Sequence, residues 1–418
     1  MSLGLRYLLF VACVASPALA VDVRYGVAVR TDARTRTPLP GDLGTVITGD
    51  LEVTPRADLS LGVDASTFSA LYAPSFLWRE PQASGGRFLP LHRARLAFQT
   101  VWSRATFLIA QDGSYGVADV GFLRLPDGSL PSTVAEVQTL GSVPYVRSAT
   151  LVSLESQPGN GVSLGLTAGF QISGSTDDSQ QQQLPLQYGP TAAVRLRKAV
   201  SRSDGLTTFG QVSQATFVTG QNQFVAQLSE IWDRQLSRTL LMNLGVGLAL
   251  TREHVIAMQG IPGDYLDLLP IALASLAWRD VLSGHPLLVT ASLRMAPFSD
   301  RFTANVYERV EARLQAEWRP AKDWIVTAAT GGAYAVPLGL SLAKPIAATQ
   351  IDRTGLDQSG DRLVFGEGSV VWAVKTWLLL QGSARVLWTE QPRLLAQGQL
   401  QAVGTVSVTV QQQDSLAW

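Results

Sequence analysis

The sequence predicts an all-β protein: a single transmembrane antiparallel β-barrel of about 18 strands, within a range of roughly 16–20. Three observations predict it: an export leader, an apolar composition that contains no helical span, and many long segments in which apolar and polar residues alternate.

The leader comes first in the chain. Arg6 supplies a positive n-region, the apolar residues 7–14 are far too few to cross a bilayer, and Ala18, Leu19 and Ala20 have the small-x-small form of a cleavage site. On this reading residues 1–20 are a signal peptide and residues 21–418 are the barrel. A rival reading makes Phe10, Val11, Ala12 and Cys13 a lipoprotein box with Cys13 acylated, but the apolar core would then be about half its usual length. Cys13 is the only cysteine, so cleavage after Ala20 leaves a mature chain without thiol chemistry or disulfides.

The composition is 46% hydrophobic and 16% charged, unusually apolar for a water-soluble exported domain. Beyond the leader, Arg, Asp, Gln or Gly interrupts every apolar stretch before it reaches the length of about eighteen residues that a spanning helix needs. A closed barrel is the remaining way to satisfy every backbone group in lipid. The 33 basic and 33 acidic residues balance, which gives no reason to expect nucleic acid as a partner and no strong ion-steering field.

Period-two alternation carries the strand assignments. Leu240, Met242, Leu244, Val246, Leu248 and Leu250 form one lane against Leu241, Asn243, Gly245, Gly247, Ala249 and Thr251. Val162, Leu164, Leu166, Ala168, Phe170 and Ile172 oppose Ser163, Gly165, Thr167, Gly169, Gln171 and Ser173, and Leu400 to Val410 repeats the arrangement. Strand cores are expected to begin near Val23, Thr45, Asp58, Arg87, Ala105, Tyr145, Gly161, Leu186, Gly205, Asn222, Thr239, Tyr265, Pro286, Phe302, Asp323, Arg362, Trp377 and Leu400. Compact turns are expected at residues 54–57, 158–161, 319–322 and 375–376, and longer connections at 31–44, 74–86, 113–142, 173–186, 336–361 and 389–398. Short periplasmic turns and long outer loops then place both termini in the periplasm.

Trp102, Trp232, Trp278, Trp318, Trp324, Trp372, Trp377 and Trp418 fall near the expected turns or the chain end, the pattern of an interfacial girdle. Trp78 and Trp388 belong to the opposite rim. They are read as depth anchors with no ligand role.

The interior should carry the charge. Val310, Ala312, Leu314, Ala316 and Trp318 oppose Arg309, Glu311, Arg313, Gln315, Glu317 and Arg319, and an Arg facing mid-bilayer would cost about 2–4 kcal/mol. Arg95, Arg195, Arg197, Arg294 and Arg385, with Asp64, Glu155, Asp233 and Glu367, occupy comparable positions. These side chains are expected to line a pore, either as cross-strand ion pairs or as a polar conduit for a hydrated solute.

Enzymatic chemistry finds no motif. His92, His254 and His285 are the only histidines, each near a strand end, and no Ser, His and carboxylate constellation or metal-ligand spacing accompanies them. Neither a cofactor nor a catalytic residue is expected. Asp177, Asp178 and the glutamines 180–183 read as a solvated loop, with contact to lipopolysaccharide-bound cations as the alternative. Residues 113–142 carry Val117, Val120, Phe122, Leu123 and Leu125, more apolar surface than an exposed loop tolerates, and a short helical piece at 133–140. They are expected either to narrow the lumen or to pack on neighbouring loops.

Phe88, Leu89, Pro90, Leu91, His92, Arg93, Ala94 and Arg95, then Gln111, Asp112, Gly113, Ser114, Tyr115 and Gly116 and the proline-broken loop after them, resemble a group of outer-membrane barrels from social soil bacteria. That group is similar to the porins of polymerase-dependent exopolysaccharide export. The resemblance implies an outer-membrane channel that passes a newly made polysaccharide, with lipid, lipopolysaccharide and a periplasmic export protein as partners. The alternatives are a channel for small hydrophilic solutes, a structural or adhesion barrel and, last, a barrel enzyme.

Overall fold

The computed structural model describes residues 19–36, 46–63, 65–80, 88–119, 142–159, 161–179, 181, 184–255, 263–299, 306–337, 361–390 and 399–417. The leader with Cys13, Trp418, Asp64, Phe302, the glutamines 180, 182 and 183, and residues 120–141 with the expected helical piece lie outside the described residues.

The strands are β1 (Leu19–Arg36), β2 (Val46–Val63), β3 (Ser66–Tyr72), β4 (Ser75–Glu80), β5 (Phe88–Val101), β6 (Ala105–Asp119) and β7 (Ser142–Gly159). They continue as β8 (Val162–Ser175), β9 (Gln187–Ala199), β10 (Asp204–Phe217), β11 (Asn222–Gln235), β12 (Leu240–Val255) and β13 (Gly263–Leu282). The last are β14 (His285–Ser299), β15 (Val306–Ala321), β16 (Trp324–Pro337), β17 (Asp361–Lys375), β18 (Leu378–Glu390) and β19 (Gln399–Ala417). Successive strands pair antiparallel, and β1 pairs with both β2 and β19, so the sheet closes on itself. Nineteen segments make eighteen staves, because β3 and β4 lie end to end between β2 and β5.

That broken stave corrects one sequence expectation. Residues 54–57 are no turn: β2 runs through Thr54, Pro55, Arg56 and Ala57 without interruption, and Pro55 pairs with Val27. The ladder from β2 to β3 ends at Ala57 and the ladder to β4 begins at Val53, so Pro55 sits opposite the break at Ala73 and Pro74. Its missing N–H falls where the neighbouring stave offers no regular acceptor, which lets a proline stand inside a long strand. A turn between Val63 and Ser66 replaces the expected one.

Ser283 and Gly284, between β13 and β14, both have positive φ, 54° and 83°. This left-handed pair matches the strand twist of a two-residue hairpin, and a Ser accepts the strain at the first position. Large hydrophobic side chains cover the outer face, including Val246 at 69% and Leu228 at 60% exposure. Alternation carries the opposite lane inward.

The interior differs between its two ends. Toward the long connections, Ala249, Thr251, Glu253, Tyr265, Asp267 and Leu269 point inward and are buried, and Leu91, Ala118, Val143, Tyr145 and Leu184 form an apolar cluster. Leu184 belongs to the β8–β9 connection, which Ser175 N–H holds by donating to the Leu184 carbonyl at 3.0 Å. Toward the short turns the inward lane is mixed: Glu155, Arg195 and Arg197 are exposed, Asp233 and Asn243 half-buried and Thr207 buried.

Candidate functional site in the barrel interior

The inward lane of β7–β12 opens into a polar recess of about 540 Å³ at the turn end. Each strand contributes from near its turn: Glu155 from β7, Ser163 from β8, Arg195 and Arg197 from β9, Thr207 from β10, Asp233 from β11 and Asn243 from β12. Arg195 Nη2 lies 3.6 Å from Glu155, and Arg197 Nε lies 3.6 Å from Asp233. Both distances exceed a hydrogen bond, and both arginines are more than half exposed. Their N–H groups are therefore available to a solute as well as to the neighbouring carboxylate.

Gly205 makes room for this arrangement, since a Cβ there would stand 3.4 Å from two nitrogens of Arg197 and 3.6 Å from Asp233 Oδ2. Asn243, with its amide nitrogen donating to Asp233 Oδ1 at 2.8 Å, accepts from Ser275 Oγ at 3.0 Å. Farther in, Gln227 Nε2 donates to Gln211 Oε1 at 2.8 Å. The wall thus offers guanidinium, carboxylate, amide and hydroxyl groups along one path. Arg195 and Arg197 were legible in the sequence as inward charges, whereas the convergence of Ser163, Thr207 and Asn243 on them was not. Their shared distance from the turns is the signal that could have shown it.

The opposite wall holds the remaining candidates in a tighter form. Glu367 on β17 accepts from Arg313 Nη2 on β15 at 3.0 Å and from Arg385 Nε on β18 at 3.0 Å. Arg309 Nη2 donates to Glu311 at 2.9 Å, and Arg294 stands directly opposite Glu311 in register. Glu317 accepts from Arg319 at 2.9 Å near the turn. Phe365 and Phe298 lie under the guanidinium groups of Arg313 and Arg309, at 5.8 and 5.4 Å. Arg95 faces Asp112 across β5 and β6, 3.7 Å apart and exposed. Asp50 and Arg79, 3.6 Å apart, are buried at the loop end.

Trp102, Trp232, Trp278, Trp318, Trp324, Trp372 and Trp377 sit near the turns, and Trp78 and Trp388 sit near the long connections. Trp324 and Trp372 stack at 5.1 Å, Trp102, Trp278 and Trp377 are exposed, and Trp318 pairs in register with Leu287 and Val326. Trp232 donates its indole N–H to Asp204 Oδ1 at 3.2 Å. In the turn before β10, hydrogen bonds from Ser201 and Ser203, then from Trp232, and the charge of Arg234 hold the Asp204 carboxyl below its ordinary value of 3.8. The histidines stand apart from one another. His92 Nδ1 is 2.7 Å from the Tyr72 hydroxyl, His254 Nδ1 is 3.1 Å from Asp264, and His285 opens β14. Among the described residues, no group of three His, Cys, Asp or Glu is placed to hold a metal ion.

A closed eighteen-stave barrel with an apolar outer belt and a charged, partly open interior defines a porin-like protein of the bacterial outer membrane. The chain belongs to the EpsX exopolysaccharide export family, whose model matches residues 15–416. Among curated proteins none matches it. It is similar to the solved outer-membrane protein opdK from Pseudomonas aeruginosa, with 11% identity over 94% of this chain and 99% of that one and a TM-score of 0.46. It is likewise similar to OccK2 (OpdF) from the same organism, with 9% identity, 94% and 98% coverage and a TM-score of 0.48. A BenF-like porin from Pseudomonas fluorescens Pf-5 follows, with 9% identity, 94% and 99% coverage and a TM-score of 0.45.

Proposed function

We propose that this barrel carries a newly made, hydrated polysaccharide through its lumen, admitting it at the turn rim. That rim faces the periplasm, where the leader has been removed after Ala20 and a periplasmic export protein delivers the polymer. One observation carries the reading: a recess of about 540 Å³ at that rim presents donors and acceptors of both signs without a dominant charge. Sugar hydroxyls both donate and accept, and a mixed wall of Arg, Asp, Asn and Thr can follow them without trapping an ion. The candidate arginines and glutamates act on this reading as pore-lining groups, and no covalent step is asked of the protein.

Planar-bilayer recording of the refolded barrel tests the reading. Neutral oligosaccharides added on the turn side are expected to interrupt the current at lower concentration than the same sugars added on the loop side. Equal block from both sides, or steady ion flow that no oligosaccharide interrupts, would replace it with a pore for small hydrophilic solutes. A folded barrel without conductance would favour an adhesion role.

A further inference from the structure

The outer wall carries an apolar groove between Val152 and Leu154 of β7 and Leu268 of β13. Ala168 faces Ala192, Val212 separates Ala192 from Ala226, and in the next outward row Gly210 lies between Val194 and Leu228, which help to form the sides of a groove of about 720 Å³. A Cβ on Gly210 would point between Val194 and Leu228, at 3.3 and 3.7 Å, so the missing side chain is part of the groove.

An independent feature lies at its lip. One step toward the turns from the Gly210 and Leu228 pair, Thr208 and Glu230 face each other on the same outer surface. Glu230 is exposed, and Thr208 Oγ1 donates to its Oε1 at 2.6 Å. Among the described residues it has no cationic partner. Its depth is set by Trp232, the next outward residue on β11, whose indole N–H reaches Asp204 at the start of β10. A carboxylate at the edge of the lipid belt is costly unless something outside the barrel compensates its charge.

We propose that this wall holds a phospholipid with a primary-amine head group, its acyl chain lying in the groove and its ammonium donating to Glu230. The groove supplies apolar contact for the chain, and the Glu230 oxygen not engaged by Thr208 accepts from the ammonium. A head group of the opposite charge would be repelled, and a trimethylammonium would match the charge but lack the N–H donor. The site lies on the lipid side and is independent of what the lumen transports.

Native mass spectrometry of the folded barrel, delipidated and returned to equimolar phosphatidylethanolamine, phosphatidylglycerol and phosphatidylcholine, tests this. The wild type should retain phosphatidylethanolamine about tenfold over either competitor, the factor that one charge-assisted hydrogen bond supplies. Glu230→Gln should lower that ratio toward one while adducts persist. Gly210→Phe, which fills the groove, should remove the adducts altogether, and heat-modifiable migration on gels checks that each variant is folded. Equal retention of the three lipids by the wild type, or an unchanged preference in Glu230→Gln, would overturn the proposal.

Discussion

The two charged walls of the interior use the same residue types in opposite ways. On β15–β18, Glu367 is held between Arg313 and Arg385 in hydrogen-bonded contact, and the three side chains retain only 14–33% of their exposure. On β7–β11, Arg195 and Arg197 stay 3.6 Å from Glu155 and Asp233 with more than half of their surface open. An arginine whose donors are already taken fixes neighbouring staves to one another. One whose donors face water can be used by a solute. Charge count alone does not separate the two, because both walls interleave signs.

Substitution at Glu367 probes the tight wall and carries the largest expected effect. Glu367→Ala leaves Arg313 and Arg385 facing each other, partly desolvated, without their shared carboxylate. The barrel should lose about 2 kcal/mol, less than the roughly 3–5 of a fully buried pair because water still reaches the site. Urea unfolding in detergent, followed by gel migration, measures it. A Glu367→Ala barrel that unfolds with the wild type would erase the distinction between the walls.

Arg195→Ala combined with Arg197→Ala sharpens the comparison from the other side. Exposed pairs at these distances contribute little, so the loss of stability should stay within about 1 kcal/mol. Oligosaccharide block from the turn side should nevertheless weaken several-fold. If the double variant unfolds readily and blocks normally, the recess is structural and the polysaccharide path lies elsewhere.

The smallest effect concerns Asp204, outside both walls. Its carboxyl is held below its ordinary value, so it stabilises the folded turn above about pH 4 and loses that contribution as pH falls through and below 3.8. Trp232 emission should change over that acid range in the wild type and vary less in Asp204→Asn. An identical acid profile in both would remove Asp204 as the anchor of Trp232.

Much of the barrel was legible because alternation is local. A Leu or Val lane against a Gly, Ser or Arg lane states which side of a strand meets lipid without reference to any partner strand, and β8, β12, β15 and β19 follow it directly. Pro55 shows the limit. A proline flanked by Thr54, Arg56 and Ala57 has the local chemistry of a turn, and only the break in the neighbouring stave makes it a strand residue. Leu184 is a second case. Its connection reads as a polar surface loop, yet the residue packs beneath Leu91, Val143 and Tyr145.

By itself the sequence determined the class of solvent that each face must meet and the approximate number of staves, since residue polarity and period two are properties of a single strand. Which arginine is locked and which is open was decided only by the tertiary structure, because that depends on the register between strands far apart in the chain. Residues 313, 367 and 385 come together through three ladders, and Asn243 reaches Asp233 through another. Register is a relation between staves, and no single stave carries it.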